Sequence, residues 1–206
     1  MPKINNMTYF FIAITVLISI YAFQRRDIFD KLKFNAYAID KHKEWYRFFS
    51  YGLIHADWMH LLINMFVLYS FGDVVELILK LHFGVKAYLY YALLYIGGIA
   101  FSTLYDYGKH KNDSYYNAVG ASGAVAAVVF SSIVLYPQGR IFLFFIPIGI
   151  PAPVFGILYL IYSAYMSKKN IDNIGHNAHF TGSIYGLLFT IALKPSLFID
   201  FIHNIF

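Results

Sequence analysis

Six apolar runs of near-bilayer length recur along this chain, at residues 8–23, 58–79, 85–107, 118–136, 141–165 and 174–193. A helix of about 20 apolar residues crosses a hydrocarbon core about 30 Å thick. Backbone groups in that core must be paired within the chain, so only helices and closed barrels are admitted. The runs lack the two-residue alternation of a barrel. The expectation is therefore an all-α membrane protein built as a six-transmembrane-helix bundle. Composition agrees: 59% of the residues are hydrophobic and only 13% charged, where a soluble domain carries about 25% charged residues. The longest polar stretch, residues 24–47, is too short for a core of its own, so residues 1–206 read as a single membrane domain.

Several classes fall away at this point. Cysteine is absent, which removes disulfide frameworks and thiolate metal sites. The net charge of +5 comes from Lys and Arg in loops between apolar runs. No nucleic-acid-binding motif accompanies them, so the expected partner of that charge is the lipid bilayer and not a nucleic acid. The first run resembles a signal peptide but lacks a small-x-small cleavage site, and it is kept as a span. Internal repeats, which would suggest a transporter, are not visible. Pro147, Pro151 and Pro153 are predicted to kink or fray the first half of the fifth span.

With six spans, the second, fourth and sixth all start at the face opposite the N-terminus. Polar residues inside the spans gather there: His60 and Asn64, then Ser122, then His176 and His179. At about 1.5 Å per residue each lies one or two turns below that surface, and ionisable groups inside a membrane mark function by default. The Lys and Arg distribution points the other way. Lys3, Lys80, Lys86, Arg140 and Lys194 flank the N-terminal face, whereas the other eleven, seven of them within 25–47, lie on the opposite side. Counted by the positive-inside rule, the N-terminus would be outside.

The grouping has a chemical logic. A serine hydroxyl becomes a nucleophile when a base takes its proton, most often histidine, and His179 lies at the depth of Ser122. Close approach of their helices is permitted by Gly120, Ala121, Gly123, Ala126 and Ala127 on one and by Gly182, Ser183 and Gly186 on the other. Acyl transfer also needs donors where the oxyanion develops. Ser122 lies near a helix N-terminus with unpaired N–H groups, and Asn64 and His60, one turn apart, add side-chain donors. With no carboxylate placed behind His179 (Asp57 and Asp172 read as interfacial loop residues), a Ser–His dyad fits better than a triad. Each residue alone has a plainer reading: Ser122 as a packing residue bonded to its i−4 carbonyl, His179 as interfacial, Asn64 as interhelical glue. A metal-dependent hydrolase using His55, His60, His176 and His179 is weighed and set lower, because no His-Glu-x-x-His occurs.

These residues resemble the rhomboid intramembrane serine proteases. "YRFFSYGLIHADWMHLLINM" is similar to the family's Trp-Arg-containing loop leading into His-x-x-x-Asn, here His60 and Asn64. "GASG", 120–123, resembles its Gly-x-Ser-Gly, and "AHFTGSIYG", 178–186, its Ala-His-x-x-Gly. "GDVVE", Gly72 to Glu76, looks like the family feature closing the second span. The match covers most of the chain from Trp45 onward.

The resemblance implies a six-helix core that cleaves membrane-protein substrates, single-span or multi-span, inside the bilayer and without metal or other cofactor. It implies Ser122 as nucleophile and His179 as base. It implies an oxyanion hole of the Ser122 and Ala121 N–H groups with the His60 and Asn64 side chains. Gly120, Gly123 and Gly182 support the motifs, and Arg47 belongs to a first loop lying partly in the outer leaflet. The N-terminus is then cytoplasmic and the site faces outward from the cell membrane. Lateral access is expected between the second and fifth helices. Two departures stand out: Ala126 occupies the place where the family often carries a Tyr under the base, so Phe180 or another aromatic must hold the His179 ring, and Trp45 falls one residue early of its usual place beside Arg47. A non-catalytic rhomboid-like protein that binds transmembrane clients is the alternative.

Overall fold

The helix that is apolar all round is the one at the centre, as burial requires. In the computed structural model, which describes residues 7–143, 147–169, 175–196, 199 and 201, every residue from Gly123 to Leu135 is buried. The order of elements is α1 (Met7–Gln24), α2 (Arg26–Leu32), α3 (Ala36–His42), α4 (Arg47–Ser50), α5 (Trp58–Phe83), α6 (Ala87–Ser102), α7 (Leu104–His110), α8 (Ser122–Leu135), β1 (Arg140–Ile141), β2 (Ile150–Pro151), α9 (Ala152–Lys169) and α10 (His176–Leu193). α5, α6 and α10 surround α8, α1 packs on α5, and α9 packs on α10. Among the described residues, two helical stretches, Met7–Gln24 and Trp58–His110, are long and apolar enough to cross a membrane by length and composition.

Without water, helices are held by packing and by internal polar bonds, and the first helix shows how. The Glu76 carboxylate accepts from the Met7 and Thr8 N–H groups and the Thr8 hydroxyl, at 3.1, 3.1 and 3.0 Å. A carboxylate at a helix N-terminus answers both the orphan donors and the dipole. The acidic end of "GDVVE" thus fastens α1 to α5, which itself runs on to Phe83.

The stretch between α1 and α5 is folded. Buried Phe34, Ile39 and Ile54 give it an apolar floor. Arg47 is buried, paired with Glu44, and donates through Nη1 to the Asp30 and Lys33 carbonyls at 3.0 and 2.7 Å. One guanidinium therefore ties the loop's two ends, which accounts for an arginine there. Trp45 is half exposed and stacks on Phe48. Phe34 and Ala118 exchange backbone bonds of 2.9 and 3.1 Å, joining this loop to the segment before Ser122.

The structure corrects the expected spans in three places. The third run breaks at Thr103, after which α7 continues. The fourth begins as a helix only at Ser122; residues 118–121 are irregular. In the fifth, the prolines do not kink a helix. Residues 140–141 and 150–151 pair as a short antiparallel hairpin, Pro151 closes β2, and Pro153 sits in the first turn of α9, where its missing N–H is no loss. Residues 144–146 of that run, Asp172 and Ile174 lie outside the described residues.

Candidate active site

Three helix starts meet at one level. Gly120 has φ +113°, and a Cβ there would lie 2.5 Å from the His60 ring of α5. This turn requires glycine twice over: for a backbone that side chains rarely adopt, and for contact with the imidazole. One residue past Ser122, Gly123 faces Ser102 of α6 and the Ala178 carbonyl of α10. A Cβ on Gly182 would lie 2.2 Å from the Gly123 carbonyl oxygen, and one on Gly186 2.1 Å from that of Ala127. The "GSIYG" pair therefore brings α8 and α10 into backbone contact. Ser122 adjoins that contact on α8, and His179 stands one turn before it on α10.

The turn ahead of Ser122 is held by residues from outside it. The Tyr51 carbonyl accepts the Gly120 N–H at 3.0 Å, while its hydroxyl bonds the Ile99 carbonyl and Ser102 Oγ at 2.7 and 2.8 Å. The Ala121 N–H, expected to face an oxyanion, is instead directed at His55 Nε2, 3.4 Å away. With Nε2 accepting, the proton of this imidazole sits on Nδ1, which reaches Ser19 Oγ at 3.0 Å. That hydroxyl in turn donates to the Leu53 carbonyl at 3.0 Å. His55 is fully buried in the loop ahead of α5. Burial first, and the neighbouring His60 second, lower its pKa to about 3, so the neutral tautomer this chain of bonds needs persists at physiological pH.

His60 packs edge-on against His55, centroids 4.9 Å apart. Asp57 caps α5 by accepting the His60 N–H at 2.8 Å. Asn64 is buried and donates one of its two amide hydrogens to the His60 carbonyl at 2.8 Å. Ser122 opens α8, so its N–H belongs to the first turn, which has no intrahelical acceptor.

The ring beside His179 comes from an unexpected helix. Tyr159 of α9 stacks on it at 6.3 Å and 24°, within the range of favourable offset pairs. Phe180 instead lines an apolar groove between α6 and α10 with Phe101, Ile184 and Leu188. A buried carboxylate, Asp106, does approach the start of α10, but it accepts from Asn177 at 3.1 Å. His176 packs edge-on to Tyr162 and to His179. Among the described residues no three His, Asp or Glu side chains are grouped to hold a metal ion.

Reading residues alone missed four contributors. His55 entered only as a possible metal ligand, while Tyr51 meets Gly120 and Asp106 meets Asn177 through pairings that no local pattern reveals. Tyr159 had a visible signal, since Ala152, Gly156, Tyr159 and Ser163 recur at helical spacing on one face.

Comparison with known proteins gives the family of the chain. A family model for the rhomboid domain matches residues 42–196, and the chain belongs to the rhomboid family. RHOMBOID-like protein 12, mitochondrial, from Arabidopsis thaliana is 32% identical to it over 141 residues, 63% of this chain. The chain spans 40% of that relative's length. Family and apolar helices together make it a membrane protein. The relative's mitochondrial name lends no support to a cell-membrane location.

Proposed function

We propose that the chain is a six-span intramembrane serine protease that hydrolyses peptide bonds in or near the transmembrane segments of other membrane proteins, through a Ser122–His179 dyad. The observation that carries this reading is the backbone contact of Gly182 with Gly123, which supports it by bringing together the helices that carry Ser122 and His179. His179 takes the Ser122 proton as Oγ attacks the scissile carbonyl, then returns it to the leaving amine. Water subsequently releases the acyl-enzyme. The oxyanion is met by the Ser122 N–H, the His60 ring and the Asn64 amide. Ala121 is left out of that set, because its N–H serves His55.

Depth supports an aqueous site. α8 has 14 residues, a length of about 21 Å, short of the roughly 30 Å core. An N-terminus that ends below one surface fits this length, and irregular backbone at such depth is tolerated where it is packed in protein or lines water. In this reading the starts of α5, α8 and α10 share the outer face of the cell membrane, with the N-terminus inside. A substrate helix must unwind locally before its carbonyl reaches Ser122, so small or helix-breaking residues near that face are favoured.

The test is incubation of the reconstituted protein with a single-span substrate. The reading expects a cut within or beside the span for wild type and none for Ser122→Ala. Equal turnover by Ser122→Ala overturns it, and tight substrate binding without any cleavage favours the client-binding alternative.

A further inference from the structure

α9 touches the rest of the protein along one narrow stripe. Ala152, Gly156 and Ser163 are its buried residues, and Tyr159 falls in line with them at spacings that keep one helical face. Val154, Ile157, Leu158, Ile161, Tyr162 and Tyr165 are all exposed. Yet this lightly embedded helix supplies the near-parallel ring against His179. Tyr159 is itself wedged by Phe130 of α8 and Phe155, at 5.8 and 5.7 Å. On α8, one turn beyond Ser122, Ala126 offers only a methyl group.

We propose that Tyr159 is a positioning residue for His179, and that it makes the dyad competent only while α9 is docked on α8 and α10. The proposal rests on the dyad reading above. An imidazole free to rotate on its helix accepts the serine proton in only a fraction of its orientations. A near-parallel ring beside it, carried by a neighbouring helix, narrows that range of orientations before substrate arrives. Because the ring belongs to α9, any outward displacement of that helix removes the support along with it. Departure of α9 therefore both opens the bundle and silences the base, and hydrolysis follows only on redocking.

The test uses the full chain in liposomes with a single-span substrate. Tyr159→Phe, which keeps the ring, is expected to hold kcat within about twofold. Tyr159→Leu is expected to lower kcat about tenfold or more with KM unchanged, since geometry at the reacting atoms is lost and substrate binding is not. Gly156→Leu, placed against Ile133, pushes α9 outward with Tyr159 intact and is expected to reproduce that loss. Combined with Tyr159→Leu it should add nothing further. Should Tyr159→Leu fail to fold, Tyr159→Met and Gly156→Leu carry the same comparison.

A wild-type kcat in Tyr159→Leu, a change in KM alone, or losses that multiply in the double variant each overturn the proposal. If wild type shows no Ser122-dependent cleavage, the dyad reading falls and this proposal with it. Ser122-dependent cleavage indifferent to Tyr159 sinks only the proposal.

Discussion

α8 and α9 are both apolar helices, and both carry a residue of the candidate site, but they are held in opposite ways. α8 is buried from Gly123 to Leu135 and meets α10 backbone against backbone. α9 is four residues longer yet buries only Ala152, Gly156 and Ser163. In a bilayer an apolar side chain gains little by moving from lipid to protein, so association rests on close packing and internal polar bonds. The difference teaches where rigidity and compliance lie: the proposed nucleophile sits on the fixed helix, and the ring beside the proposed base sits on the compliant one.

Substitutions that separate the two helices by the size of their effect break or sharpen this contrast. The largest loss is expected for Gly182→Leu, which drives a side chain into the Gly123 carbonyl; overpacking should cost about 3 kcal/mol or more. Thermal unfolding in detergent should show a large fall or no cooperative transition, and a near-normal midpoint would mean that α8 and α10 are not in backbone contact. Gly120→Ala comes next. Its positive φ stores about 1–3 kcal/mol of strain for a residue with a Cβ, and the His60 ring must also move. A folded protein with much reduced cleavage is expected, and unchanged cleavage would free the turn from its glycine requirement.

A smaller effect appears as a pH dependence. The His55 pKa is lowered from its usual 6.5 to about 3, so the unfolded chain binds a proton that the folded chain refuses throughout that window. Stability therefore rises with pH between about 3 and 6.5 and is complete above it. Melting midpoints at pH 7 and 4.5 should fall on acidification for wild type, and His55→Asn should flatten the slope. An identical slope in both would remove His55 from the account. The smallest effect is expected at the outer face of α9, where Ile161→Ala should change stability by no more than about 0.5 kcal/mol. A loss of several times that amount would show α9 to be embedded far more deeply than its stripe implies.

The residues that were legible in sequence were those whose chemistry is rare in a membrane. His60, Asn64, Ser122 and His179 stood out because polar groups in apolar runs need a reason. The glycines around them stood out because close approach needs small residues. The lengths of α1 and α10 followed from apolar runs with clear ends. The fifth run misled for a physical reason: "IFLFFIPIGIPAP" is as apolar as a helix, but hydropathy does not distinguish a hairpin bordered by proline from a span. His55 and Tyr159 were illegible as site residues because their importance lies in the partner, a backbone N–H 66 residues away in one case and a ring on another helix in the other.

The central claim is that Ser122 and His179 act as one unit across the α8–α10 contact. The most direct measurement is mass-spectrometric mapping of the adduct formed with a fluorophosphonate, which traps a serine only when a base activates it. The account predicts a single adduct on Ser122 in wild type, with labelling slowed about 100-fold or more in His179→Ala. An adduct on another residue, or His179→Ala labelled at the wild-type rate, would contradict it.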